Sequence, residues 1–545
     1  MAVIASALAP VAAGATALSA NDPLRTYVQA RAAAIGGNHR QAAELLAALA
    51  QNQPDGDLAR KAFAEALGAG QFDLALRLAR AVPPTKLTTD ARLLLIADEM
   101  RNRRTDRALS LLATSKEAGD LSFLAPLISA WDAAEAGSAD RALAALDQIG
   151  TGSMLSPLAA EQRALILLKF KRSADAEPFA RRAVGSAGAR EDRLRLAFAD
   201  GFLQAGDKAR ALMIIDGIGS GALAAQARIQ AGRTGGQAID TGAEALSEAL
   251  TAFSADLARM QHVAPPIGLI QAARYADPRN VGATALLALL LNQQDRSNEA
   301  LALLGAIDRN DPLISPVRDI QVRILVDQKR FTEAYQIAAL AVAGPAVDPD
   351  DYSRLGEVYA AMKRFDLAAD AYRRAIVAAS AGGAKESQWG LHLLHASALE
   401  DAHRWPESKA ALAQGLALSP DQPLLLNFLG YAKLERGEDV EGAETMIRKA
   451  SELAPDDASI IDSLGWAQFK RGKVTDAIGT LQRAAEKDPA QAEIQEHLGD
   501  ALFQSGRHYE ARFAWGAALI TAEDDMAGRI KAKLANGLMP ANAAP

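Results

Sequence analysis

No cysteine occurs in the 545 residues of this chain. That excludes a disulfide frame, a thiol nucleophile and any cysteine-held zinc or iron–sulfur centre. Aromatic residues are scarce at 5%, although half the chain is hydrophobic. Alanine makes up much of that half, which suits close helix–helix packing and argues against a β-rich domain. No stretch shows the sustained alternation of a half-buried strand. Charge of one sign is also lacking: the net value is −7, and the only basic cluster is Arg101-Asn102-Arg103-Arg104. That cluster reads as a solvated helix end, and nucleic acid is not expected as a partner. Catalytic constellations are missing as well. Thr151 to Ser153 and Gly219 to Gly221 are loop composition rather than nucleophile elbows, and no phosphate-cradling glycine loop follows a strand. His392 and His395 lie one turn apart with His403 two turns on, a spacing that could serve a metal, but no HExxH glutamate accompanies them. They read as packing histidines, and His497 and His508 carry no more weight. The chain is read as a non-enzyme, with no catalytic, cofactor or metal-binding residue.

What the chain does have is a period. Leu429-Gly430, Leu464-Gly465 and Leu498-Gly499 recur at steps of 35 and 34 residues. A turn glycine follows each pair (Gly437, Gly472, Gly506), then one alanine (Ala443, Ala477, Ala511) and a second (Ala450, Ala484, Ala518). Pro420, Pro455 and Pro489 close successive units. Gly430, Gly465 and Gly499 fall inside a helix, where glycine costs about 1 kcal/mol relative to alanine. That cost is tolerated where a neighbouring helix passes too close for a side chain. The pattern is the signature of the tetratricopeptide repeat, a helix–turn–helix unit of 34 residues. The resemblance implies an all-α, right-handed superhelical solenoid of about 13 hairpins.

Upstream the pattern decays but keeps its step. Leu355-Gly356, Tyr359, Ala368 and Ala375 mark one unit, and Ala300, Leu304, Pro312, Ala334 and Ala338 mark two weaker ones. In the N-terminal third, Pro54 closes a unit whose turn is Gly36-Gly37-Asn38. Further second helices open near Asp73, Asp106, Asp140, Asp175 and Lys208. The Asp-x-Ala entries at Asp73, Asp106 and Asp140 look like helix N-caps. The rhythm breaks from 221 to 278, where glycine-rich patches and a Pro265-Pro266 corner bracket a helix predicted from Asp240 to His262. Leu246, Leu250, Phe253 and Leu257 lie on one face of it. Two readings stand there: a degenerate hairpin with a longer first helix, or a hinge or docking helix between two solenoids. The expected organisation is an apolar segment at 1–20, a degenerate solenoid at 21–220, a connector at 221–280, a regular solenoid at 281–525, and a helix and tail at 526–545.

Residues 1–20 contain no charged side chain and end in small residues before Asn21-Asp22-Pro23. They resemble a secretory signal peptide cleaved after Ala17 or Ala20, though without a positively charged start. An apolar first helix capping the solenoid is the other reading. Pro10 and Gly14 interrupt the segment, which disfavours a membrane span.

Repeats of this kind bind other chains along the inner faces of their first helices. Counting from the Leu-Gly pairs, Asn427, Phe428, Tyr431 and Leu434 project inward from one unit. Asp462, Ser463, Trp466 and Phe469 follow from the next, and Glu496, His497, Asp500 and Phe503 from the last. The expected partner-binding groove is thus an aromatic ladder with an acidic rim, because Tyr and Trp commonly anchor interfaces. The other reading has the aromatics packing between adjacent first helices. The wording from Asp462 to Gly472, with Glu496 to Phe503 and Glu510 to Trp515, resembles exported bacterial repeat proteins. Over residues 420–520 it is similar to outer-membrane adaptors of carboxyl-terminal processing proteases. That resemblance implies a scaffold that presents envelope substrates to a protease, in the periplasm or at the outer membrane. The chain departs from those lipoproteins in having no anchoring cysteine, so membrane association stays open. A cytoplasmic complex-assembly or regulatory protein, and an assembly factor for envelope polysaccharide or outer-membrane proteins, are the alternatives.

Overall fold

The computed structural model describes residues 23–52, 56–112, 119–216, 218, 222–260, 266–344, 347–381 and 388–544. Among these there are thirty α-helices and no strand, so the chain is all-α. The expectations placed on residues 1–20, Pro54, Gly219 to Gly221, His262 and Pro265 lie outside the described residues. No helix among the described residues is long and apolar enough to cross a membrane. The chain divides into two compact units, Met1–Gln328 and Lys329–Pro545.

The second unit is the regular one. Its first helices are Pro349–Ala361, Trp389–Asp401, Pro423–Glu435, Ala458–Lys470 and Ala492–Gln504. Each packs against the second helix that follows it: Phe365–Ser380, Trp405–Leu418, Val440–Leu453, Val474–Lys487 and His508–Thr521. The repeated small residues set this spacing. A Cβ at Gly465 would stand 2.6 Å from Leu481 Cγ, and one at Gly499 would stand 2.3 Å from Trp515 Cδ1. Both are closer than carbon atoms approach, so glycine is required where the paired helix crosses. Ala443, Ala477 and Ala511 on the second helices are fully buried, as are Ala450, Ala484 and Ala518. Gly472 and Gly506 adopt φ of +75° and +86° at the turn, a region that favours glycine. A terminal helix, Asp524–Asn536, closes this unit.

The first unit begins with the same hairpins. Its first helices include Gly56–Gly68, Thr89–Arg101, Ala125–Glu135, Ala159–Lys169 and Glu191–Gln204. The expected aspartate caps are not caps. The helices start at Phe72, Thr105 and Ala139, and Gln71, Arg104 and Ser138 occupy the N-cap positions without a side-chain hydrogen bond. Asp73, Asp106 and Asp140 lie within the first turn instead, where a carboxylate is favoured by the helix dipole rather than by capping. Asp207 does cap its helix, accepting from Arg210 N.

The irregular stretch contains the long helix Gly242–Arg259, two residues shorter at its start than expected, followed by Ile267–Ala276. Thr241 and Glu244 form a capping box at its entry. The two helices pack on each other as a hairpin. They also fold back. The long helix lies against Thr89–Arg101 and Ala125–Glu135, and its successor lies against Thr89–Arg101 and Gly56–Gly68. Leu246, Leu250 and Phe253 are buried, but so are Ser247, Glu248, Thr251 and Ser254 on the other faces. From Gly242 to Ser254 the helix is buried on nearly every side and so belongs to a core, whereas Asp256 and Arg259 in its last turn are exposed. Both helices belong to the first unit.

Candidate functional site

The candidate groove is built by Pro423–Glu435, Ala458–Lys470 and Ala492–Gln504. Adjacent first helices stand close enough that their inward side chains touch. The Trp466 ring stacks on Phe469 of its own helix, with centroids 4.9 Å apart, and on His497 of the next, 4.0 Å away and 11° from parallel. Trp466 is left 1% exposed. His497 Nδ1 donates to Asp462 Oδ2 at 2.9 Å, and the Nε2 atom is enclosed with no partner among the described residues. Burial opposes a charge on this imidazole, but the Asp462 carboxylate prevails and raises its pKa.

The acidic members of the last unit are engaged as well. Glu496 accepts from Arg529 Nε at 2.9 Å, Arg529 Nη2 at 2.8 Å and Lys533 Nζ at 2.6 Å. Asp500 accepts from Lys533 Nζ at 2.7 Å, Trp515 Nε1 at 2.9 Å and the Ala544 amide at 3.1 Å. Lys533 is fully buried between these two carboxylates. Glu496 stays ionised because its cations outweigh its burial, whereas burial raises the pKa of Asp500. The terminal helix and the tail to Ala544 therefore occupy the inner face of the last unit. Phe503 is drawn into the same cluster, stacking on His508 at 4.3 Å and lying 5.4 Å from Trp515.

This geometry corrects part of the expected surface. Asp462, Trp466, Glu496 and Asp500 are buried rather than exposed, because helix neighbours and the terminal helix take up their polar atoms. For Trp466 the packing reading describes its surroundings. Asn427, Phe428, Tyr431, Phe469 and Phe503 remain partly exposed. Phe428 packs beside Leu425 and Leu429, and Tyr431 beside Leu434 and Leu464. Burial raises the pKa of the Tyr431 phenol. The Asn427 Oδ1 atom is enclosed without a partner among the described residues. Leu424, Lys470 and Glu493 are exposed on the same three helices. His392 is buried, and burial pushes the His395 pKa down to about 4, so both imidazoles are held neutral. Neither Arg529 nor Lys533 was singled out from the sequence. Their i, i+4 spacing mirrors that of Glu496 and Asp500, which is the signal that could have paired them.

Residues 463–527 match the tetratricopeptide repeat family. No curated protein matches the chain. Among solved structures, it is similar to the crystal structure of the APC/C hetero-tetramer Cut9-Hcn1, at 15% identity over 95% of this chain and 97% of that one, with a TM-score of 0.38. It is similar to a tetratricopeptide repeat protein from Parabacteroides merdae at 12% identity, over 46% of this chain and 96% of that one, with a TM-score of 0.37. It is also similar to the C-terminal part of a repeat-containing protein from Cytophaga hutchinsonii, at 15% identity over 39% and 82% of the two chains and a TM-score of 0.30.

Proposed function

We propose that this chain is a non-catalytic scaffold for other proteins, working in the bacterial cell envelope and delivering substrates to a processing protease. The observation that carries the scaffold reading is the run of tetratricopeptide hairpins over 349–521, whose first helices keep Phe428, Tyr431 and Phe469 partly open. Stacked hairpins offer extended faces rather than a reaction centre, and partners are held by a few aromatic anchors. The envelope part of the reading rests on the wording of residues 462–515 and on the uncharged, apolar residues 1–20. Crosslinking and pull-down from the native cell, with mass determination of the chain's N-terminus, tests both parts. Recovery of an envelope protease together with a start at Leu18 or Asn21 is the expected result. An intact apolar start with only cytoplasmic partners would replace the envelope reading by the cytoplasmic one.

A further inference from the structure

The first unit contains a cleft of about 840 Å³ that the groove described above does not include. It lies between the helix His39–Asn52, the turn that opens Phe72–Arg80, the end of Thr89–Arg101 and the end of the folded-back Ile267–Ala276. Four guanidinium groups line it: Arg40, Arg77, Arg101 and Arg274. Several arginines elsewhere in this unit are matched to carboxylates, as Arg80 is to Asp98 and Arg104 to Glu99. None of the four cleft arginines makes an ion pair among the described residues. Arg101 donates to the Tyr275 carbonyl at 3.1 Å and lies 4.6 Å from the centre of the Tyr275 ring. Arg274 donates only to neutral groups, Gln271 and Thr284, and burial lowers its pKa. Glu44 and Asp73 also line the cleft, so its walls carry four positive groups against two negative ones in a chain of net charge −7.

We propose that this cleft binds an acidic peptide segment of a partner protein. Guanidinium forks suit carboxylates, and a partly buried one without a counter-ion gains when an anion arrives. One further observation selects a peptide over a phosphate or a lipid headgroup. Phe72 and Tyr275 pack at a centroid distance of 5.1 Å and supply an aromatic wall for an apolar side chain between the acidic ones. The volume falls within the range of about 300–1,000 Å³ common to binding pockets. Because Ile267–Ala276 forms one wall, folding back creates the cleft rather than closing it.

The proposal rests on the scaffold reading but adds a site outside the second unit. Its test is an anisotropy titration of the full chain with a fluorescein-labelled peptide carrying four glutamates around one phenylalanine. Saturable binding below about 1 mM, weakened by salt, is expected. Replacing the glutamates by glutamine should weaken it about tenfold or more, as should Arg274→Gln. The double variant Arg40→Glu with Arg77→Glu alters exposed positions only, keeps the melting curve, and should weaken binding similarly. Absence of saturable binding, or equal binding by the double variant, would overturn the proposal. So would tripolyphosphate or phosphatidylglycerol vesicles binding as tightly as the peptide through the same arginines. Partners retained through the second unit in a pull-down are read without this peptide, so failure here leaves the scaffold reading standing.

Discussion

The two units solve the same packing problem with contacts of different reach. In the second unit, cross-helix polar contacts join residues one repeat apart: Arg471 to Glu444 at a separation of 27, His497 to Asp462 at 35, Lys533 to Glu496 at 37. Its stability is then close to a sum of hairpin terms and neighbour terms. The first unit has such contacts too, but its folded-back helices add much longer ones. Gly242 donates to Glu135 across 107 residues, Tyr275 to Asp98 across 177, and Gln271 to Gly68 across 203. A ladder held only by neighbours loosens locally, whereas one tied by a helix laid across several hairpins should loosen as a block.

The largest expected effect tests the block. Glu248 is 1% exposed, bonded to Arg193 Nε at 3.0 Å and 3.5 Å from Arg190. Glu248→Ala leaves the buried Arg193 guanidinium without its carboxylate, a loss of about 3–5 kcal/mol. Hydrogen exchange should show reduced protection across Thr89–Arg101, Ala125–Glu135 and Glu191–Gln204 together. Protection lost only beside residue 248 would make the first unit as local as the second and dissolve the contrast.

Gly465→Leu tests the ladder. The new side chain would collide with Leu481, and overpacking should cost about 1–3 kcal/mol. Loosening should be confined to the helices from Pro423–Glu435 to Ala492–Gln504. Loss of protection spreading evenly back to Pro349–Ala361 would show that this unit is also a block.

A smaller effect separates binding from packing within the second unit. Tyr431 is partly exposed, and Tyr431→Ala should weaken a partner recovered by pull-down by about 1–2 kcal/mol with helicity kept. Trp466→Ala should lower the melting temperature as well, because its ring is enclosed between Phe469 and His497. Equal affinity of wild type and Tyr431→Ala, measured by titration, would move the contact surface off these helices.

How much of this was legible follows from the reach of the contacts. Gly430, Gly465 and Gly499 recur because each meets the same second helix a fixed distance later, so periodicity alone located them. The long helix announced its apolar face through Leu246, Leu250 and Phe253. Its burial on nearly every side was hidden, because Glu248, Arg193 and Asp200 look in sequence like a solvated face. Only the fold-back shows that Arg193 meets Glu248 and that Asp200 accepts from the Gly235 and Gln237 amides. The acidic rim of the candidate groove was hidden for the same reason: nothing in the period of the repeats says that residues 524–544 return to cover Glu496 and Asp500.

The smallest effect concerns pH, and it divides the second unit within itself. His395 is pushed down to about 4, mainly by burial and further by His392 and nearby Arg373 and Arg404. The folded unit therefore binds fewer protons here than the unfolded chain, whose histidine titrates near 6.5. Stability from this group is complete above about 6.5 and is lost as pH falls toward 4. His497 has the opposite sign. Its raised pKa means that the folded unit binds more protons, so its contribution is complete below about 6.5 and is lost as pH rises through the folded value. The two histidines squeeze stability from both sides. Asp500 also titrates on the acid side, with its pKa raised by burial, so the comparison must be made against wild type. His395→Gln should flatten the loss of melting temperature between pH 6.5 and 4 relative to wild type, without changing the slope above pH 7. His497→Gln should flatten only the alkaline slope. Parallel profiles for wild type and His395→Gln across the whole range would show that the neutral imidazole contributes nothing to the acid sensitivity of this unit.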